Sequence, residues 1–174
     1  MHTVLNDSDP MFSTLIFNKE TVSGEDGLLK TYELYGIPTK ARMVVLSSCN
    51  TGNGQLSSGE GILSLARGFM YSGSNSVVMS LWEIEDKSGT EIVKYFYNSL
   101  LKGKSKSEAL KNARFKYLKG ADDLRSHPYF WATLVIYGDN ASLFYNKRMF
   151  LIAIFASTLI ALLLIIYLRK RRYS

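Results

Sequence analysis

The chain has 174 residues, 47% of them apolar, with three prolines, one cysteine and no low-complexity tract. That length holds one domain of ordinary size plus a tail, and the composition argues against intrinsic disorder. The net charge of +6 equals the six basic residues Lys147, Arg148 and Arg169 to Arg172 that flank a terminal apolar run, so residues 1–146 balance and nucleic acid is not an expected partner.

The opening Met1-His2-Thr3-Val4 carries no helix-capping signal, basic stretch or signal peptide. It reads like the interior of a domain, so the chain is expected to be truncated at its N-terminus. Residues 6–14 read as a loop with Asx-type turn residues and one proline. Leu15-Ile16-Phe17 is a short strand candidate, residues 20–27 a loop or hairpin turn with Gly24 and Gly27, and residues 28–36 a short helix stopped by Gly36 and Pro38. The run from Arg42 to Ser48 predicts a strand buried on both faces, as in a parallel sheet.

Ser57 with Glu60 forms a capping box before a helix whose inner face is Ile62, Leu65, Ala66 and Phe69, ended by Gly73. Glu60 is read there as a capping residue. Ser76 to Leu81 predicts a second buried strand. Asp86 is placed to cap the next helix, with Ile92, Val93, Phe96 and Leu100 inward and Gly103 at its end. Ser105 with Glu108 opens another helix through Ala109, Ala113 and Tyr117, and Tyr129 to Tyr137 predicts the last strand, closed by Gly138-Asp139. This alternation predicts an α/β fold with a mostly parallel sheet flanked by helices.

In such sheets the active site lies at the carboxyl ends of strands. Cys49 follows the strand at Arg42–Ser48 and precedes the glycine-rich Asn50-Thr51-Gly52-Asn53-Gly54. A buried strand that delivers one thiol to a loop presents a nucleophile, although an unpaired cysteine also serves as a small buried apolar side chain. A nearby imidazole would lower the thiol pKa below the free value of about 8.5. His2 and His127 are the only histidines, and residue types alone do not choose between them. One cysteine excludes an intramolecular disulfide, and no metal ligand set or EF-hand loop is present, so no metal or organic cofactor is expected.

The stretch Val44-Val45-Leu46-Ser47-Ser48-Cys49-Asn50-Thr51-Gly52 resembles the cysteine motif of the CHAT domains, caspase-like peptidases often joined to tetratricopeptide repeats. Gly59-Glu60-Gly61 with Leu65-Ala66-Arg67-Gly68-Phe69 is similar to the helix after that cysteine. Ser80-Leu81-Trp82 with Asp86 is similar to the next strand and turn, and His127-Pro128-Tyr129-Phe130-Trp131-Ala132 with Gly138-Asp139 to the closing strand. The likeness runs from His2 to about Asn140.

The resemblance implies a caspase-like fold and a Cys-His dyad. Met1-His2-Thr3 falls where the family has an Ala-Thr-His-Gly-like motif, which makes His2 the base and leaves His127 a structural histidine. The backbone N–H groups of Thr3 and Cys49 would form the oxyanion pocket, with Thr3 standing where the family usually has glycine. Asp86 is a candidate for the substrate pocket, by pairing with a basic side chain, or simply a helix cap. Trp82 and Trp131 are read as core or pocket walls, and Gly52 and Gly54 as turn residues.

From Phe150 to Leu168 the chain runs 19 residues without a charge and then reads Arg169-Lys170-Arg171-Arg172. At about 1.5 Å per residue this spans roughly 28 Å, close to a hydrocarbon core of about 30 Å. It predicts one C-terminal transmembrane helix, residues 147–174 forming span and basic tail. The positive-inside rule puts the tail in the cytoplasm. The expected protein is therefore a membrane-anchored, single-pass, caspase-like cysteine endopeptidase in bacterial signalling or regulated proteolysis. Its expected partners are a protein or peptide substrate, the lipid bilayer and tetratricopeptide repeats. The alternatives are a non-catalytic CHAT-type interaction or scaffold module at a membrane, and a hydrolase of small acyl substrates using the same dyad.

Overall fold

The computed structural model describes residues 2–17, 26–47, 60–83, 85–144, 155, 157 and 158. The chain divides into two compact units, Met1–Leu143 and Phe144–Ser174. Among the described residues the first unit contains six strands, in two three-stranded sheets, and four α-helices.

The first sheet is antiparallel throughout, in the order β1 (His2–Val4), β2 (Thr14–Ile16), β3 (Leu28–Lys30). His2 stands opposite Ile16 and Thr3 opposite Leu15. His2 itself lies in β1, whose backbone is paired with β2. The helix expected over residues 28–36 is shortened to α1 (Thr31–Leu34), because Leu28 to Lys30 pair with β2. Glu33 still caps this short helix by accepting from Lys30 N–H at 2.7 Å.

The second sheet is formed by β4 (Val44–Leu46), β5 (Ser76–Ser80) and β6 (Leu134–Gly138), with β5 in the middle. Between β4 and β5 lies α2 (Glu60–Tyr71). Between β5 and β6 lie α3 (Asp86–Leu100) and α4 (Lys106–Leu118). β4 and β5 are parallel, but β5 and β6 are antiparallel. The expectation of a mostly parallel sheet is thus corrected to a mixed one. One helix between strands returns the chain to the starting end and makes a parallel pair. Here the crossover is a helical hairpin, with Ser88 Oγ on α3 2.7 Å from the Tyr117 hydroxyl on α4. The hairpin reverses the chain once more, so β6 enters from the far end.

β5 is buried along its whole length, and its side chains alternate between two apolar clusters. Val77 and Met79 meet Leu46, Ile62, Leu65 and Ala66, together with Leu15 of the antiparallel sheet. Val78 meets Ile92, Phe96, Leu100, Ala109, Ala113, Tyr117 and Leu134 on the other face. The inner faces expected for the three long helices are those observed, with Phe69 and Val93 half-buried at the margins.

Helix starts follow local chemistry where it is strong. Ser105 Oγ accepts from Glu108 N–H at 3.3 Å, while the Glu108 carboxylate pairs with Lys104 at 2.6 Å. The expected partner capping residue Ser57 lies outside the described residues. Lys106 buries its stem and carries its ammonium to Ala141 O at 2.8 Å and Asp139 at 3.3 Å, tying the start of α4 to the chain leaving β6. The strand expected from Tyr129 begins only at Leu134, because Pro128–Phe130 forms a 3-10 turn. His127 Nδ1 accepts from Tyr129 N–H at 3.3 Å and caps that turn.

Gly61, in the first turn of α2, lies against the segment that follows β1. A Cβ there would sit 2.7 Å from Ser13 Oγ, 3.1 Å from Leu5 Cβ and 3.2 Å from Asn6 N. Backbone is part of that contact, so relief requires the loop to move. Gly61→Ala is expected to destabilise the domain by about 1–3 kcal/mol despite alanine's better helix propensity. Thermal melts of the two proteins check this, and an unchanged or raised melting temperature would contradict the close approach.

Candidate active site

β4 ends at Leu46, opposite Met79, and Cys49 follows three residues later. Cys49, Gly52, Gly54 and the rest of residues 48–59 lie outside the described residues, so the Cys49–His2 separation does too. Thr3 occupies the middle of β1 with its side chain fully buried, and its Oγ1 has no hydrogen-bond partner among the described residues.

Two chain segments lead to the start of α2. The first is the loop after β1; the second, which carries Cys49, precedes Glu60 in the chain and lies outside the described residues. Asp7 fastens the first segment there: its Oδ1 accepts from Gly61 N–H at 2.9 Å. A carboxylate at that position satisfies one of the free first-turn donors and complements the helix dipole. Asn6 N–H in turn donates to Ser13 Oγ at 3.0 Å, which shapes the loop.

The antiparallel course of β6 brings residues 127–133 to the carboxyl ends of β4 and β5. Leu81 N–H donates to Thr133 O at 3.0 Å, and Thr133 Oγ1 accepts from Trp82 N–H at 3.3 Å and donates to Trp82 O at 2.9 Å. The Trp82 ring stacks on Tyr129, with centroids 6.5 Å apart and planes at 24°, and its indole N–H reaches Tyr129 O at 3.0 Å. Trp131 is fixed by Ser126 O at 2.9 Å. Both tryptophans are half-buried and anchored through their only polar atom. Arg114, on α4, holds Leu134 O at 2.5 Å from behind, and burial lowers its guanidinium pKa.

Asp86, the expected pocket or capping carboxylate, is exposed at the first position of α3. It is not the N-cap. That position belongs to Glu85, which accepts from Ser88 Oγ at 2.5 Å and from Arg125 at 3.2 Å, while Arg125 also binds Asp122 at 2.8 Å. This cluster is not legible in the sequence. Its members lie 40 residues apart, and no local pattern links Glu85 to Arg125. Arg125 and then Ser88 hold the Glu85 carboxyl below its ordinary value of 4.5, and Arg125 likewise lowers Asp122. Among the described residues no cluster of three or more His, Cys, Asp or Glu side chains is arranged to hold a metal ion.

This is an α/β domain in which Cys49 follows a strand of the parallel pair in sequence, and the antiparallel β6 brings aromatic residues to the same end of the sheet. Residues 1–139 match the CHAT domain family, and the chain belongs to it. It is 31% identical to mouse tetratricopeptide repeat protein 28 over 116 residues, 67% of this chain and 5% of that protein. The human tetratricopeptide repeat protein 28 is 29% identical over the same share of each chain. The chain therefore spans about 5% of the length of these curated relatives.

The Glu85–Arg125–Asp122 cluster makes stability depend on pH in a set direction. Both carboxyl pKa values are lowered on folding, so their contribution is complete above the ordinary value of 4.5 and is lost as pH falls through the folded values below it. Arg125→Met removes the cause. The variant is expected to melt below the parent at neutral pH, with the gap closing as pH drops below 4.5. Melts across that range test it; a gap independent of pH would contradict the assignment.

Proposed function

We propose that this chain is a membrane-anchored cysteine endopeptidase of the caspase-like type. His2 takes the thiol proton of Cys49, the thiolate attacks the peptide carbonyl, and the oxyanion receives the N–H groups of Thr3 and Cys49. His2 then protonates the leaving amine, and water hydrolyses the thioester. The observation that carries this reading is the Asp7–Gly61 bond. It fastens the loop after the histidine's strand to the helix that follows Cys49 in the chain, which is what a dyad drawn from two distant segments needs. Membership of the CHAT family agrees with it. Asp86, exposed at the first position of α3 and four residues after Trp82, is our candidate to pair with a basic substrate side chain.

The anchor is the uncharged run of residues 150–168. That run lies outside the described residues except for positions 155, 157 and 158, and among the described residues no helix is long and apolar enough to cross a membrane. Hydrophobic length and the basic flanks support the span. The names of the two relatives support assembly with tetratricopeptide repeats.

A second reading, a non-catalytic interaction module, is favoured by Thr3. A fully buried side chain occupies the position after His2, where glycine would leave the backbone freest to face an oxyanion.

An electrophilic peptide probe with an acyloxymethyl ketone warhead separates the two. The full chain is expected to be labelled, Cys49→Ala not at all, and His2→Ala about 10²–10⁴-fold more slowly. Asp7→Ala is expected to lose about 1 kcal/mol of stability and to slow labelling as well, since its loop follows the histidine's strand. No labelling of a folded full chain would overturn the peptidase reading in favour of the interaction module.

A further inference from the structure

The balanced charge of the domain conceals a segregation. Between Lys87 and Lys119 the chain holds nine basic residues and two acidic ones. The fold places this stretch in the α3–α4 layer and buries the apolar face of each helix against β5 and β6, with Lys106 buried at the start of α4. Lys87, Lys94, Lys102, Lys111, Lys116 and Lys119 are all exposed. Among the described residues the only carboxylate paired with a lysine of this exposed face is Glu108, on Lys104. Lys116 of α4 lies 4.5 Å from the ring of Tyr95 on α3, which joins the two helices into one surface.

Apolar groups stand among these cations. Leu101 is 65% exposed, Phe115 57% and Tyr97 40%. Lysines interleaved with exposed aromatic and aliphatic side chains are the composition of a membrane-interface helix face. A nucleic-acid backbone would use the lysines but leave Leu101 without a partner.

The exit of the chain lies on the same layer. Lys106, in the first turn of α4, binds Ala141 O, Ser107 N–H donates to Asn140 Oδ1 at 2.7 Å, and Leu143 packs against the α3–α4 cluster. Six residues then separate Leu143 from Phe150, and the seven Cα–Cα steps reach at most roughly 25 Å. An anchor at Phe150 would confine the domain to the neighbourhood of the bilayer. The tether replaces a bimolecular encounter by a local one.

We propose that the outer face of α3 and α4 docks on an anionic lipid surface, with the lysines on the headgroups and Tyr97, Leu101 and Phe115 at the acyl boundary. This rests on the anchor reading above. It leaves the rim of Trp82 and Tyr129 to protein substrates.

The test is lysine acetylation of the full chain in nanodiscs of phosphatidylcholine, with or without phosphatidylserine, read by peptide mass spectrometry. In the anionic discs Lys94, Lys111 and Lys116 are expected to react at least about fivefold more slowly. Lys30 and Lys40, outside this layer, should be unchanged, and high salt should remove the protection. A Lys94→Glu, Lys111→Glu, Lys116→Glu variant should also lose it at Lys87 and Lys119. Carbonate extraction of vesicles carrying the same chain reads the anchor separately. A chain that resists extraction while its lysines react equally in both discs overturns the docking face and leaves the anchor standing. A chain stripped by carbonate overturns both. Stronger protection of the same lysines by duplex DNA in neutral discs, at equal phosphate, overturns the lipid assignment in favour of nucleic acid.

Discussion

The five residues of β5 have essentially no access to solvent on either face, and every other element takes its place from that burial. A strand covered on both sides needs two separate layers. Val77 and Met79 require one, filled by α2 and Leu15 of the antiparallel sheet; Val78 requires the other, filled by α3 and α4. Both edges of β5 must also be paired, since a buried strand cannot leave its N–H and C=O groups without partners. β4 and β6 satisfy them. The serines at its two ends are the transition to polar surroundings, Ser76 Oγ donating to Arg42 O at 3.0 Å.

Burial of β5 fixes where chemistry can be placed. Cys49 follows the carboxyl end of β4 by three residues in the chain. The carboxyl end of β5 runs into Trp82, Glu85 and Asp86. Because a helical hairpin separates β5 from β6, the antiparallel β6 begins at this same end and brings Tyr129, Trp131 and Thr133 with it. Had a single helix made the crossover, those aromatics would sit at the opposite end of the sheet. The loop after β1 arrives independently, held by one charge-assisted bond at the first turn of α2. Among the described residues, this end of the sheet is thus assembled from the stretches after β1, after β5 and before β6, each carried by a packed element.

The same layering sorts the charges. Acidic residues 83, 85, 122 and 123 belong to the connections after β5 and before β6, and Asp86 to the first turn of α3, whereas the lysines of residues 87–119, apart from buried Lys106, are exposed on the helical layer. A domain of zero sum therefore has an acidic group of connections beside the aromatic rim and a basic helical side. The sum over the sequence is correct and uninformative, because it is the outward face of each helix that a partner meets.

Periodicity and capping residues by themselves determined the three long helices, their inner faces, β4, β5 and the cap at Ser105, because those features are set by residues within one or two turns of each other. The family was readable for a related reason: its motifs sit on these local elements, and Ser80-Leu81-Trp82 and His127-Pro128-Tyr129 keep their meaning as short strings. Only the tertiary structure decided the rest. The split of residues 28–36 into β3 and α1 came from pairing with β2, the late start of the last strand from the capped turn at His127, and the direction of β6 from the packing of α3 on α4. Glu85 rather than Asp86 became the paired carboxylate because Arg125, forty positions on, is folded back against it. Asp7 became the cap of a helix 54 positions away. Each of these depends on a partner far along the chain, and a sequence pattern carries no information about which distant group burial will bring into reach.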